Sequence, residues 1–228
     1  MGTTGTARRA LVSLALGAPL LLAGCGEPVP DLQIGSPAPS GERLSPPPPP
    51  GAQLSVADWP DACQTLSDAE IQAMLPQATD VERTPQELTI MNFNPLQESD
   101  PGAATGDIPA GGCEYRFTLP AEHSPEGNSS IDILLASIAD PALIEQSYRE
   151  DLADDDSGDL KDLGDSLGAA GCFTDTVFGG LDCYQGAYRF EVSGTSTADG
   201  MGEYPESEQN WTDQVLGQVV ATLAARAG

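Results

Sequence analysis

Four interior cysteines, Cys63, Cys113, Cys172 and Cys183, lie behind what reads as an export signal, and they restrict the fold more than any other residues in the chain. An even number of cysteines in an oxidising compartment forms disulfides, so the expectation is two bridges stapling one compact domain. Four cysteines allow three connectivities. Nearness in sequence selects Cys63 with Cys113 and Cys172 with Cys183. A metal site fits less well, because no C-x-x-C spacing is present and His123 is the only histidine.

The export signal occupies residues 1–24. Arg8 and Arg9 give it a short positive start, and an apolar run over 11–23, interrupted by Gly17 and Pro19, ends in Leu22-Ala23-Gly24-Cys25. A membrane-spanning helix needs about 20 apolar residues. This run is shorter and twice broken, as in a secretory signal peptide. Small residues at 23 and 24 suit a peptidase pocket, and the Cys25 thiol directly behind them can accept a diacylglycerol. Leu22-Ala23-Gly24-Cys25 therefore resembles the lipobox of bacterial lipoproteins, in which that cysteine is lipidated and becomes the mature N-terminus. The alternative is a leftover cysteine after an ordinary signal peptide. Met1-Gly2 with Thr6 matches a myristoylation pattern, which the export signal behind it sets aside. Arg8-Arg9 leaves both the Sec and the twin-arginine route open.

Loss of residues 1–24 removes two basic residues and no acid. The mature chain then has 9 − 2 = 7 basic residues against 35 acidic ones, a net charge of 7 − 35 = −28. Such a surface repels nucleic acid and anionic lipid headgroups, and nucleic-acid binding is excluded. Between 26 and 57 the composition shifts to Pro28, Pro30, Pro37, Pro39 and the run Pro46 to Pro50, with Gly and Ser between them. A stretch with so few large apolar residues does not fold alone. Proline-rich chain extends by about 3.1 Å per residue, so residues 25–57 are expected to form a disordered stalk with a reach of roughly 90 Å. Residues 58–228 have the length of a single domain.

Local signals place the elements of that domain. Ser67 and Glu70 form a capping box, with Leu66 and Ile71 as its hydrophobic staple, which predicts a helix over 68–75 with Leu66, Ile71, Met74 and Leu75 inward. Strands are expected over 88–94, 113–119 and 130–138, with Tyr115, Phe117, Leu119, Ile131, Ile133 and Leu135 on the core side and one face wet. Residues 97–112 read as a loop. Asp140-Pro141 opens a second helix in N-cap order, with Ile144, Tyr148 and Leu152 as its buried stripe. Segments 173–178 and 181–193 read as a hairpin or meander. A two-residue turn at Gly179-Gly180 would pair Thr176 with Cys183 and leave Cys172 away from it, so either that turn or the second bridge must give way. A last helix over 207–225 carries Trp211, Val215, Val219 and Leu223 on one stripe. The order implies an α+β domain: an antiparallel sheet of about five or six strands, with helices packed on one face and two disulfides.

Asp61-Ala62-Cys63 running into Leu66-Ser67-Asp68-Ala69-Glu70-Ile71, then Gly112-Cys113-Glu114-Tyr115 and Leu163-Gly164-Asp165, resembles the domain shared by many actinobacterial envelope lipoproteins of unknown function. It is also similar to the extracellular sensor domain of the mycobacterial serine/threonine kinase PknH. The resemblance implies an antiparallel sheet flanked by helices, disulfides, and a cleft for an unidentified ligand. Tyr115 stands where a tryptophan is common in those lipoproteins.

Two motifs invite catalytic or metal readings. Gly164-Asp165-Ser166-Leu167-Gly168 satisfies G-x-S-x-G and looks like a GDSL-hydrolase signature. A nucleophile elbow needs a buried strand before the serine, a helix after it and a histidine base. Here 159–163 is polar, 168–171 is rich in glycine, the D-x-x-H element is absent, and His123 precedes Ser166 on a different loop. Turn glycines explain the motif better. The acidic stretch 150–165 fails the EF-hand pattern, since placing Gly158 at the sixth position puts Ala153 at the first. An irregular calcium site on Asp154, Asp156 and Asp159 is the remaining metal reading, against a solvated acidic loop. No cofactor is implied. Trp59 and Trp211 read as core or cleft-rim residues.

The expectation is thus a non-catalytic binding or sensor-type domain, tethered by Cys25 at the extracytoplasmic face of the cell membrane. Its partners would be the membrane through the lipid anchor, together with a small ligand or an unidentified envelope protein. An accessory protein docking on a membrane or cell-wall complex is the alternative, and a hydrolase using Ser166 the third.

Overall fold

In a computed structural model of the chain, the described residues are 29–44, 47–90, 106–123, 126–175 and 180–228. Seven strands form one antiparallel sheet: β1 Thr79–Ile90, β2 Gly106–Thr118, β3 Ser129–Ile138, β4 Leu160–Gly164, β5 Gly171–Asp175, β6 Leu181–Gln185 and β7 Tyr188–Ser193. Their order is β1-β2-β3-β7-β6-β5-β4. Among the described residues four α-helices accompany them: α1 Asp68–Met74, α2 Pro141–Ala153, α3 Glu206–Trp211 and α4 Gly217–Ala227. The last two are linked by a π-helical turn, Thr212–Leu216. The domain is α+β, as expected, with one strand more than the upper estimate. Among the described residues no helix is long and apolar enough to cross a membrane.

Alternation along the strands sorts side chains to two faces. Tyr115, Phe117, Ile131, Ile133, Leu135, Tyr188, Phe190 and Val192 are buried on one face, beneath Ile71 and Met74 of α1 and Trp211, Val215, Val219 and Leu223. Phe117 and Trp211 stack with ring centroids 6.3 Å apart. Helix α2 departs from the expected one-sided arrangement. It contacts residues of opposite parity, Tyr148 against Tyr184 and Phe173, and with Ala139 and Ile144 it forms a separate small apolar cluster. It therefore covers the second face from β4 to Arg189 of β7 and, among the described residues, leaves β1–β3 and Glu191 of β7 open.

Both bridges join the expected pairs, Cys63 with Cys113 and Cys172 with Cys183. Cys172 and Cys183 stand directly opposite on β5 and β6, and Thr174 opposes Leu181. The β5–β6 connection is therefore wider than two residues, which overturns the Gly179-Gly180 turn; Thr176, Phe178 and Gly179 lie outside the described residues. The tight hairpin is one step later. Gln185 opposes Tyr188, and Gly186, at φ +57°, takes the first central position of a two-residue turn, where glycine is favoured.

Strand boundaries differ where local signal was weak. β1 begins at Thr79, before the expected 88–94 segment, of which 91–94 lie outside the described residues, and β2 reaches back to Gly106 through part of the expected loop. The polar residues 159–163 exclude the buried strand that a nucleophile elbow needs, and β4 is not one. It is an edge strand with Lys161 and Asp162 exposed, and an edge tolerates charge.

The larger correction concerns the stalk. The described part of 29–57 is laid against the domain as a strap. The Gln33 N–H donates to the Gln77 side chain at 2.7 Å, and the Gln77 amide donates to the Asp31 carbonyl at 3.2 Å. Farther along, the N–H groups of Gly35 and Ser36 donate to the carbonyls of Met74 and Ala73 at 2.7 and 3.1 Å. A Cβ on Gly35 would sit 2.0 Å from the Ala73 oxygen, so the close approach requires glycine. Later the strap joins the sheet, with Gln53 bridging Ala139 and the Leu54 N–H donating to the Ile138 carbonyl at 2.8 Å. Leu32, Ile34, Leu44, Leu54 and Val56 pack on the core. Chain of this composition does not fold in isolation. A polar stretch with spaced apolar residues folds when a formed domain satisfies its backbone.

Candidate functional site

The capping box predicted at α1 forms, and its acid does more than cap. The Glu70 side chain is fully buried. Its carboxylate accepts from the N–H and hydroxyl of Ser67 at 2.8 and 2.9 Å and from the N–H groups of Ser40 and Gly41 in the strap at 2.9 and 3.0 Å. Arg226, near the C-terminus of α4, lies 3.6 Å away and donates to the carbonyls of Glu42 at 2.8 Å, Thr65 and Gln64. Beside them, the Tyr115 hydroxyl donates to the Ala62 carbonyl at 2.8 Å and accepts from the Leu66 N–H at 3.2 Å. This buried knot ties strap, first disulfide, α1 and C-terminus together. It is structural, because its carboxylate, guanidinium and phenol hydroxyl are taken up by bonds within the chain.

The open half of the second sheet face is the surface that presents chemistry. Glu114 of β2 and Asp132 of β3 are direct cross-strand partners, and Glu191 of β7 opposes Leu134 of β3. Arg116 pairs with Glu114 at 2.7 Å, while Asp132 accepts from the Gln86 amide at 3.3 Å and the Ser130 hydroxyl at 3.4 Å. Burial, and after it the charge of Glu114, pushes the Asp132 carboxyl above the ordinary aspartate value. Glu191 is exposed as a residue, yet desolvation at its carboxyl and then the charge of Asp182 push it up as well. The face is anionic and carries carboxylates held at elevated pKa, a combination that favours cationic or hydrogen-bond-donating partners.

Under α2 this face closes over Arg189. Its guanidinium meets Asp182 in a two-pronged pair at 2.9 and 2.8 Å, Asp151 of α2 at 2.5 Å and the Ser147 hydroxyl at 3.1 Å. Burial acts in opposite senses on the two partners, raising the Asp182 carboxyl and lowering Arg189, but the hydrogen bonds and charge of Asp182 and then Asp151 outweigh it at the arginine. A guanidinium does not deprotonate, so Arg189 stays cationic between its acidic partners. It docks α2 onto the sheet and fixes the border of the open face.

The expected catalytic and metal residues are placed elsewhere. Ser166 is exposed in the β4–β5 turn, between Gly164 at φ +56° and Gly168 at φ +83°, which are turn glycines as the motif's alternative reading held. His123 is exposed in the β2–β3 connection, 3.9 Å from Glu122. Pairing registers put the β4–β5 turn at the end of the sheet where β3 finishes and His123 at the end where β3 begins. β7, β6 and β5 also lie between β3 and β4, so Ser166 and His123 form no dyad. In the acidic stretch, Asp155 organises the loop. Its carboxylate accepts from the Ser157 hydroxyl at 2.7 Å and the N–H groups of Gly158, Asp159 and Leu160 at 3.0, 3.3 and 2.8 Å, and these bonds, the Ser157 hydroxyl first, hold its pKa down. Among the described residues no group of three or more His, Cys, Asp or Glu is placed to hold a metal, so Asp154, Asp156 and Asp159 are not brought together. Trp59 and Trp211 are buried in the core. Cys25 lies outside the described residues.

Glu114, Asp132 and Glu191 were not singled out from the sequence. Only strand register sets Glu114 opposite Asp132, and Glu191 opposite Leu134 two residues farther along β3.

No protein-family model, curated protein or solved structure matches the chain. Fold and site define its class directly: an antiparallel α+β domain stapled by two disulfides, with one sheet face that is anionic and, among the described residues, partly uncovered.

Proposed function

We propose that the protein is an exported lipoprotein, anchored by a lipid on Cys25 at the extracytoplasmic face of the cell membrane, whose domain is a non-catalytic binding or sensor module. The observation that carries this reading is the pair of disulfides between the expected cysteines, which belongs to an oxidising, extracytoplasmic setting. The Leu22-Ala23-Gly24-Cys25 sequence supplies the anchor, and the likeness of the Cys63 and Cys113 motifs to envelope lipoproteins agrees with it. The binding surface in this reading is the open face bearing Glu114, Asp132 and Glu191.

An accessory role, docking on a membrane or cell-wall complex, is the second reading. The breadth of the uncovered face, which spans three neighbouring strands, favours it over a small-molecule site. A photo-crosslinking amino acid at Arg116, on that face, tests both readings in intact cells against a control at Asp213, which is exposed on the helical layer. A defined species captured from Arg116 and not from Asp213 supports the open face as the binding surface, and its chemistry, protein or small molecule, decides between the readings. Equal capture at both sites contradicts the assignment.

A further inference from the structure

We infer that the strap holds the domain end-on and close to the lipid surface, with the strap-exit end facing the membrane and the open sheet face looking sideways along it. The inference rests on the reading of Cys25 as the lipid anchor and on where the strap first becomes fixed. Asp31 and Gln33 are already bonded to Gln77, just beyond α1. From Cys25 to Asp31 there are six residue steps, which span at most about 22 Å when fully extended. The roughly 90 Å reach of a free proline stalk is therefore not available to this domain.

The exit point also selects which end of the sheet is near the lipid. Gln77 precedes β1, and Thr79 at the start of β1 opposes Thr118 at the end of β2. Leu32 approaches Gly200 so closely that a Cβ there would meet the Leu32 Cβ at 3.5 Å. The loop around Gly200 is joined in turn to the β2–β3 connection: the Asp199 N–H donates to the Pro120 carbonyl at 3.1 Å, and the Glu122 N–H to the Asp199 carboxylate at 2.8 Å. These loops sit at one end of the strands, and the β4–β5 turn with Ser166 sits at the other. Tyr204, in the same stretch as Gly200, is 77% exposed and is the one large apolar side chain so exposed among the described residues. A tyrosine suits the headgroup level of a bilayer. Glu122 and Asp199 at this end, with Glu126 in the same connection and Glu203 next to Tyr204 in the chain, are acidic, so neutral lipid is a better neighbour for it than anionic lipid. Strands that rise from the membrane turn the face bearing Glu114 and Asp132 toward neighbouring proteins at the same height.

The test uses the full lipidated chain in phosphatidylcholine vesicles carrying an energy-transfer acceptor on the lipid headgroup. A donor is placed through a non-natural amino acid at Glu126 in one preparation and at Ser166 in another, both exposed. The two ends are separated by about the length of ten-residue β3, roughly 33 Å at ~3.3 Å per residue, so transfer from 126 is expected to exceed that from 166 by about twofold or more. Insertion of a long Gly-Ser segment between Gly26 and Glu27, ahead of the described strap contacts, should erase most of that difference without perturbing the fold. Equal transfer from the two sites in the unextended chain, with mass spectrometry showing lipid on Cys25, overturns the orientation and leaves the anchor standing. A chain with no lipid on Cys25 overturns both. A difference that survives the insertion also contradicts the inference, because the orientation would then not come from the short tether.

Discussion

Glu70 of α1 and Arg226 of α4 meet at 3.6 Å with side chains 0% and 8% exposed, and the strap is clamped between them. Ser40 and Gly41 donate to the acid while Glu42 accepts from the base. Removing one partner of a buried pair leaves uncompensated polar groups in the interior, which typically costs about 3–5 kcal/mol. Glu70→Ala should therefore lower the free energy of unfolding in urea by an amount in that range. A loss of only ~1 kcal/mol or less, as for an exposed ion pair, would show that strap and helix are not held there.

The same carboxylate sets an acid limit. Desolvation acts to raise the Glu70 pKa, but the N–H groups of Ser67, Ser40 and Gly41 and the Ser67 hydroxyl outweigh it and hold it below the ordinary value. A carboxyl depressed in the folded state stabilises the fold above its unfolded pKa, about 4.3 for glutamate, and that contribution is lost as pH falls through the lower folded value. Urea midpoints should therefore show an acid decline that is shallower in Glu70→Gln than in the parent chain. Parallel curves would contradict the assignment.

The two disulfides should differ in weight. They close loops with sequence separations of 50 and 11 residues, and the loop-entropy relation gives about 4 and about 3 kcal/mol respectively. Replacing both members of each pair with alanine, followed by urea unfolding, should show the larger loss for Cys63 and Cys113. The reverse order would mean that strain or residual structure outweighs loop length.

Glu114 and Asp132 oppose each other on adjacent strands, an arrangement of like charges that destabilises a sheet. The sign is opposite to that for Glu70. A carboxyl whose folded pKa is raised, as burial and then Glu114 raise Asp132, lowers stability while ionised, and the penalty is relieved as pH falls through the raised value. Asp132→Asn should therefore raise the thermal midpoint at pH 7 modestly and weaken any cationic partner. A lower midpoint would mean that the bonds to Gln86 and Ser130 matter more than the repulsion.

Elements with strong local signals were legible in the sequence. The Ser67–Glu70 capping box, the Asp140-Pro141 helix start and the alternation of Tyr115, Phe117 and Leu119 each depend on neighbouring residues alone, and each appears in the structure. Cysteine spacing identified both bridges. Illegible were features set by distant partners. The strap is polar and rich in proline, and its order comes from Gln77, Glu70 and Arg226. Arg189 lies on the second face of β7, and α2 buries it through Asp151 and Ser147. The anionic face was half visible, since alternation gives the side a residue takes but not its neighbour on the next strand.

Everything proposed about function depends on the anchor, so the most direct measurement is intact-mass and peptide mass spectrometry of the protein recovered from membranes of its own host, beside the Cys25→Ser variant. The account predicts a mature chain that begins at Cys25 and carries a diacylglycerol, with the variant unlipidated and released from the membrane fraction. A mature chain that begins elsewhere, an unmodified Cys25, or a variant that still partitions fully with membranes would contradict it.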